Sequence, residues 1–403
     1  MKREQSERDA AIVSSHKGTN IVGVRDYNER LILQLMRKNG SITKAETSRA
    51  TGLSPNAVSV IFRALEKDGL VLRGEPIRGR VGQPSVPMRL NPDAAHYLGL
   101  KVGRRSSELV VMNYAGEVRG HAYRAHPHPL PAEIVEFTAE AVRTVLAQAR
   151  LPRKAVSGMG VAMPYELWSW TEEFDAPWLD MQAWKSFDIR GALRGVGKWP
   201  LVVENDGTAA CRAELTVGKG QSRREFVYLF VGTIIGGGIA LNGSVFTGRS
   251  GNAAGFGPMP VPGRRGRSER LLDNASLFVL ERMIATAGGD PLAIYLGEEA
   301  WLAHPREVVR WTRLTARGLA HAIVATLSII DLELVIVDGC FSGAVRDALV
   351  SGIEAELDKL DLQGIRRPEI AAGSLGSTAR AVGAACLPLS KDHAIDQNAL
   401  LHD

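Results

Sequence analysis

The chain has 403 residues, 45% of them hydrophobic and 23% charged, which is too long for one ordinary domain and apolar enough for packed cores, so a disordered tail is excluded. No apolar run reaches the roughly 18 residues a membrane span needs, and the start MKREQSERDA lacks an apolar signal core, so a soluble, cytoplasmic protein without membrane contact is expected. Three cysteines (Cys211, Cys340, Cys386) stand far apart, which argues against disulfides and a thiolate zinc site and suits small buried residues.

The formal net charge of +5 is unevenly placed. Residues 1–90 hold 16 Lys and Arg against 9 Asp and Glu, a net of +7, and the remaining 313 residues carry −2. That asymmetry is expected where one end of a chain meets a polyanion; a basic solubilising surface is the bland alternative.

Residues 1–24 are polar with little periodicity and read as a flexible lead-in. In DYNERLILQLMRKNG, Tyr27, Leu31, Leu35, Ile32 and Met36 share a helical stripe that ends at Asn39-Gly40. A second short helix fits Thr43 to Thr51, with Gly52 in the turn. Ser54 then caps a third helix with Pro55 at its first position, where a missing N–H costs nothing. On it Val58, Ile61, Phe62 and Leu65 must face inward, leaving Asn56, Ala57, Ser59, Val60 and Arg63 outside, and Gly69 ends the element. A small, polar exposed face of this kind can enter a major groove. LVLRGEPIRGRVGQPSVPMRL reads as a β-hairpin wing carrying Arg73, Arg78 and Arg80, whose guanidinium groups suit phosphate or a narrow minor groove. The candidate DNA contacts are Ser54, Asn56, Ser59, Arg63, Arg78 and Arg80; a three-helix protein-interaction module is the alternative.

From about residue 96 the pattern becomes α/β. LGLKVGRRSSELVVMNYAGEV alternates like a hairpin, a helix-like HPLPAEIVEFTAEAVRTVLAQAR follows, and VSGMGVAMP, PLVVEN, EFVYLFVGT and LELVIVDG read as strands. Glycine-rich turns are expected at strand ends, at Gly232 to Gly238 and at Asp338-Gly339, where backbone N–H groups could approach phosphate.

The head resembles the winged head of the ROK family (repressors, open reading frames, kinases), and GRVGQPSVPMRLNPDAAHYLGL resembles that family's passage into its body. WPLVVENDGTAACRAE, VYLFVGTIIGGGIALNGSVFTGRSGNAAGFG, LVIVDG and PEIAAGSLGSTARAVGAA occur in the order of ROK sugar kinases, so the resemblance spans roughly residues 25–390. It implies an α/β protein with a winged helix-turn-helix at 25–90 and a two-lobed actin/hexokinase-like ROK domain at 91–403, assembling as a homodimer or homotetramer. It also implies a ligand site with Asn205, Asp206, Thr233 and Asn252. Asp206 would be the base if the protein is active; a helix N-cap is its structural alternative. Gly236, Gly237 and Gly238 would belong to the second phosphate loop.

The chain departs from the family at three points. Lys101-Val102-Gly103-Arg104-Arg105 stands where the family reads Asp-x-Gly-Gly-Thr, which makes Lys101 and Gly103 part of a vestigial first phosphate loop in which bulky cations fill the place of a phosphate tail. In Gly251-Asn252-Ala253-Ala254-Gly255-Phe256-Gly257-Pro258, Gly255 replaces the family glutamate and Pro258 its zinc-binding histidine, and the cysteine cluster is absent. The resemblance therefore implies no zinc, no ATP with magnesium, and a ligand-responsive DNA-binding regulator, a repressor of carbohydrate-related genes. Its partners would be operator DNA and a sugar or sugar-derivative inducer. Arg104 and Arg105 keep phosphorylated ligands among the candidates, and an active ROK sugar kinase is the rival reading. His121, His126 and His128 read as an exposed loop. Trp168, Trp170, Trp178 and Trp184 suit either sugar stacking or packing.

Overall fold

The computed structural model describes residues 21–77, 85–169, 178–263 and 267–393. The chain divides into two compact units, one holding the described residues up to Leu90 with Asn242–Ser244 and His393, the other Asn91–Leu241 and the described residues of Val245–Asp392.

The first unit contains α1 (Ile21–Asn39), β1 (Ser41–Ile42), α2 (Lys44–Thr51), α3 (Pro55–Lys67), β2 (Val71–Arg73) and β3 (Met88–Leu90), with sheet order β1-β3-β2. Two differences from the sequence reading stand at its start. α1 begins at Ile21, inside the expected flexible lead-in, and its buried stripe is Ile32, Leu33 and Met36, with Tyr27, Leu31 and Leu35 only half-buried. The two-residue β1 had no strand signal of its own; pairing with β3 makes it a strand.

Local chemistry sets the helix ends. Thr43 and Glu46 form a reciprocal cap: the Glu46 N–H donates to Thr43 Oγ1, and the Thr43 N–H donates to Glu46 Oε2 at 2.8 Å, a device worth about 1 kcal/mol. Gly52 closes α2 in the left-handed region (φ 73°), and Ser54 caps α3 by accepting from the Ala57 N–H, with Pro55 opening the helix. Val58, Ile61, Phe62 and Leu65 are buried as expected. The wing is antiparallel β2–β3, extended by an Ile77–Ser85 bridge. Arg78 and Arg80 lie outside the described residues.

The second unit is built on two five-stranded sheets. The first contains β4 (His96–Val102), β5 (Ser106–Asn113), β6 (Val118–Ala125), β7 (Val156–Met163) and β8 (Leu201–Asn205), in the order β6-β5-β4-β7-β8. The second contains β9 (Phe226–Val231), β10 (Ile235–Leu241), β11 (Ser244–Phe246), β14 (Leu334–Gly339) and β15 (Glu369–Ala372), in the order β11-β10-β9-β14-β15, with a separate hairpin of β12 (Pro260–Pro262) and β13 (Ser268–Arg270). The two sheets repeat one topology: an antiparallel meander of three strands whose first member pairs in parallel with the fourth, and the fourth with the fifth. The hairpin turns 103–105 and 232–234 are thus equivalent points of the two lobes.

Helix α4 (Pro131–Ala149) covers the first sheet. The second is packed by α5 (Asp206–Val217), α6 (Leu277–Thr286), α7 (Pro305–Leu327) and α8 (Gly343–Leu357), and α9 (Ala379–His393) is the last helix among the described residues. Glycine brings α9 against the strands: a Cβ at Gly99 of β4 would lie 2.0 Å from the Ala381 carbonyl oxygen, and one at Gly160 of β7 would lie 1.8 Å from that of Ala384.

Gly236, Gly237 and Gly238 are not in a turn at a strand end. They sit within β10, opposite Phe230, Leu229 and Tyr228 of β9. A Cβ at Gly238 would meet Cys211 of α5 at 2.3 Å, and one at Gly237 would meet the Tyr228 carbonyl oxygen at 2.1 Å, whereas Gly236 has open space. Gly238 therefore serves helix–strand approach, and Gly237 makes room for the β9 backbone and the Phe256 ring.

Candidate functional site

In the first unit, Asn56, Val60 and Arg63 are exposed along α3, with Ala57 and Ser59 half-buried between them. Arg63 Nε donates to the Ser59 carbonyl at 3.2 Å, which lays its guanidinium along the same face. Ser54 is committed to the cap, although its hydroxyl keeps a proton to donate. Arg73 forms a bidentate pair with Glu66 at 2.6 and 2.8 Å and so is tied to α3.

In the second unit, a cavity of about 290 Å³ opens beside the 232–234 turn and brings together Asn205, Asp206, Thr233, Gly236, Asn252 and Arg380, at the small end of small-molecule sites. Gly237 borders it too, whereas Lys101, Gly103 and Gly238 do not. Asn205, not Asp206, caps α5: its Oδ1 accepts from the Gly207 and Thr208 N–H groups, and its Nδ2 reaches Asn252 Oδ1 at 3.4 Å. The N-cap alternative for Asp206 is thereby corrected by one residue, which leaves the Asp206 carboxylate at the cavity wall.

That carboxylate is not idle. Its Oδ1 accepts from the Gly207 N–H at 3.1 Å, and its Oδ2 accepts from Arg380 at 3.2 Å. Arg380 is 7% exposed, lies 4.7 Å over the Phe230 ring, and donates a second N–H to Cys340 Sγ at 3.1 Å. A Cβ at Gly232 would sit 3.5 Å from its Nη1, so the guanidinium fills the space under the glycine turn. Burial works against that charge, but the Cys340 sulfur and the Asp206 carboxylate more than offset it and hold Arg380 above its ordinary value. An aspartate held this way, one oxygen on a backbone N–H and the other on a cation, is oriented to accept a further hydrogen bond from a ligand hydroxyl. Sequence reasoning missed Arg380, yet the signal was present: a lone cation inside the small-residue run ALA-ARG-ALA-VAL-GLY-ALA-ALA.

The cationic turn differs from expectation. Arg104 borders the cavity, but its guanidinium donates to the carbonyls of Glu166, Leu167 and Ser169. Arg105 crosses between the lobes to Glu281 of α6 at 2.8 Å, with both side chains no more than 10% exposed, and donates to the Pro127 carbonyl. Glu281 also accepts from the Tyr295 hydroxyl at 2.6 Å, and that hydroxyl lies 3.2 Å from Thr233 Oγ1. Both arginines are therefore engaged by protein, and it is Arg380 that enters the site. Lys101 folds beneath the turn, 2% exposed. An ammonium here and an ion-paired Asp206 do not make a magnesium site, and in the 251–258 loop Gly255 and Pro258 bring neither carboxylate nor imidazole to the cavity they border. Ala254, in the same wall, takes a left-handed backbone (φ 56°) despite its Cβ, at a cost of about 1 kcal/mol.

The remaining candidates fall elsewhere. Trp184 is buried and donates to the Pro129 carbonyl, so it is core, and Trp168 packs half-buried on the same core. Trp170 and the Trp178 side chain lie outside the described residues. His121 is on β6, paired with Glu108 at 2.7 Å, and His126 is half-buried against Ser107, so neither belongs to an exposed loop. Cys211 and Cys386 are buried, whereas Cys340 is half-buried against Arg380. Among the described residues no helix is long and apolar enough to cross a membrane.

The profile of the ROK family matches residues 97–283, and a winged helix-turn-helix DNA-binding profile matches residues 25–71. The uncharacterized protein y4fQ of Sinorhizobium fredii is 26% identical over 90% of both chains. The xylose repressor of Bacillus subtilis is 21% identical over 59% of this chain and 61% of its own length. In structure, a ROK family transcriptional regulator described as a homologue of the Escherichia coli MLC protein superposes with a TM-score of 0.62 at 18% identity, over 94% of this chain and 98% of its own. A ROK glucokinase from Streptomyces griseus superposes with a TM-score of 0.58 at 22% identity, over 73% and 99%. At these identities the structural likeness is one of fold.

Proposed function

Because this chain belongs to the ROK family and carries a winged helix-turn-helix ahead of its ROK body, we propose that it is a ligand-responsive DNA-binding transcription regulator, a repressor of carbohydrate-related genes. The observation that carries this reading is the exposed polar face of α3, Asn56 to Arg63, on a winged head that holds the chain's positive excess. Asn56, Ser59 and Arg63 would read base edges, and the arginines of the wing would bind phosphate. The xylose repressor similarity supports a sugar or sugar derivative as inducer, held by Asn205, Asp206, Thr233 and Asn252. The engagement of Arg104 and Arg105 by protein groups favours an uncharged ligand in this cavity over a sugar phosphate.

The body is read as non-catalytic, working without zinc, ATP or magnesium in the cytoplasm. Two heads of a homodimer or homotetramer would meet half-sites about 34 Å apart, and a ligand that moved the lobes would break that match. The test is retention of genomic fragments by the full-length protein, followed by sequencing and a sugar titration. Retained fragments should share a pseudo-palindrome and be released by a sugar that also raises the melting temperature. Retention of no DNA would favour a protein-docking head. The kinase rival predicts ATP consumption with a hexose that is lost in Asp206→Asn; such turnover would overturn the non-catalytic reading.

A further inference from the structure

A second cavity of about 230 Å³ lies in the body on the other side of Arg380's contacts, bordered by Cys340 rather than Asp206. One of its walls is the fully buried Lys101. Among the described residues the ammonium has one protein acceptor, Ser106 Oγ at 2.5 Å, so two of its three donors are unused. A buried cation with unused donors facing a cavity calls for an acceptor there. The placement is built into the fold, since a Cβ at Gly103 would lie 2.7 Å from Lys101 Cε. Burial, aided by Arg380, lowers the ammonium to about 8, which leaves it mainly charged at neutral pH.

The rest of the lining fits the same ligand class. Ser342, at the rim, caps the fifteen-residue α8, whose N-terminus favours negative charge. Trp301, Phe341 and Tyr295 supply an apolar wall. Two carboxylates also border the space: Glu108 is committed to His121 at 2.7 Å, and Glu298 is exposed. We propose that this cavity is a second ligand site, taking a small oxyanion, either a carboxylate or a phosphate monoester, joined to an apolar group. Arg380 links it to the first cavity, with one N–H on Cys340 and another on Asp206, so a ligand in one site changes the acceptor strength presented in the other. The second site stands independently of the DNA-binding reading.

Iodoacetate tests it directly, being a carboxylate that reports its own position: the Cys340 thiolate forms a C–S bond to its methylene carbon as iodide leaves. The full-length protein is treated with iodoacetate or with neutral iodoacetamide, and modification is located by peptide mass spectrometry. Relative to free cysteine, Cys340 should favour iodoacetate about tenfold, with the buried Cys211 and Cys386 unmodified. Inorganic phosphate or benzoate should slow the reaction, and whichever protects better identifies the oxyanion. In Lys101→Met the preference should vanish while iodoacetamide still reacts, which shows the cavity to be intact. Three results would each overturn the proposal: the free-cysteine ratio in the unmutated protein, a preference that survives Lys101→Met, or no protection by either anion.

Discussion

Asp206 acquires its character from a neighbour distant in sequence, and Lys101 acquires its own from burial. Asp206 opens α5 at the cavity wall, and Arg380, 174 residues later, holds it in an ion pair. Lys101 carries the cost of a buried ammonium. Its folded value near 8 lies below the ordinary 10.5, so between those limits the unfolded chain binds more protons and stability rises with pH. Below about pH 8 the penalty is fully present. The shift corresponds to about 3 kcal/mol, and loss of the Ser106 bond returns about 1 kcal/mol. Lys101→Met should therefore stabilise the body by about 2 kcal/mol at pH 7, and the gain should shrink as pH rises from 8 to 10.5. Melting curves across that range check this; a less stable variant at pH 7 would show that the ammonium is better satisfied than argued.

Helix α9 brings Arg380 into the site, and it can approach only because small residues face it on three sides. Gly99 and Gly160 admit its backbone from the strands, and a Cβ at Gly383 within the helix would lie 1.9 Å from the Ala209 carbonyl oxygen of α5. A methyl group at any of these points meets main chain, which cannot turn aside as a side chain can. Gly160→Ala should cost about 3 kcal/mol, the upper end of overpacking, and should also weaken binding of any ligand in the Asp206 cavity by displacing Arg380. Thermal melting together with ligand titration reads both effects, and an unshifted melt would mean that α9 relaxes freely. In the head, by contrast, α2 and α3 depend on nearby residues: Thr43 with Glu46, Gly52, and Ser54 with Pro55.

On the scale of the whole body, two sheets of one topology bring their equivalent hairpin turns to the site, and Arg105 ties the lobes through Glu281. Both partners are nearly buried, so removal of one leaves an uncompensated charge, at a cost of about 3–5 kcal/mol. Arg105→Met should therefore melt well below the parent protein, and Arg105→Met with Glu281→Met should recover most of the loss. Because Glu281 also holds Tyr295, which touches Thr233, the single variant should change the affinity of the Thr233 cavity for its ligand as well. A double variant no more stable than the single would show that the pair does not couple the lobes.

Local order was legible in the chain alone. The Ser54 cap, the inward stripe Val58, Ile61, Phe62 and Leu65, the wing strands and β4, β5, β7, β8, β9 and β14 of the body follow from residue type and short-range periodicity, because a helix end or a pleated strand is decided within a few residues. The position of Asn205 and Asp206 at the head of α5 was readable for the same reason. The partners of charged side chains were not: Arg104 on the 166–169 carbonyls, Arg105 on Glu281 and Arg380 on Asp206 each span more than 60 positions. Gly237 and Gly238 likewise look like turn residues until the β9 backbone with Phe256 is seen against the one and α5 against the other. Charge pairing and close backbone approach are settled by distance in space, and that distance exists only once the two sheets and α9 have come together.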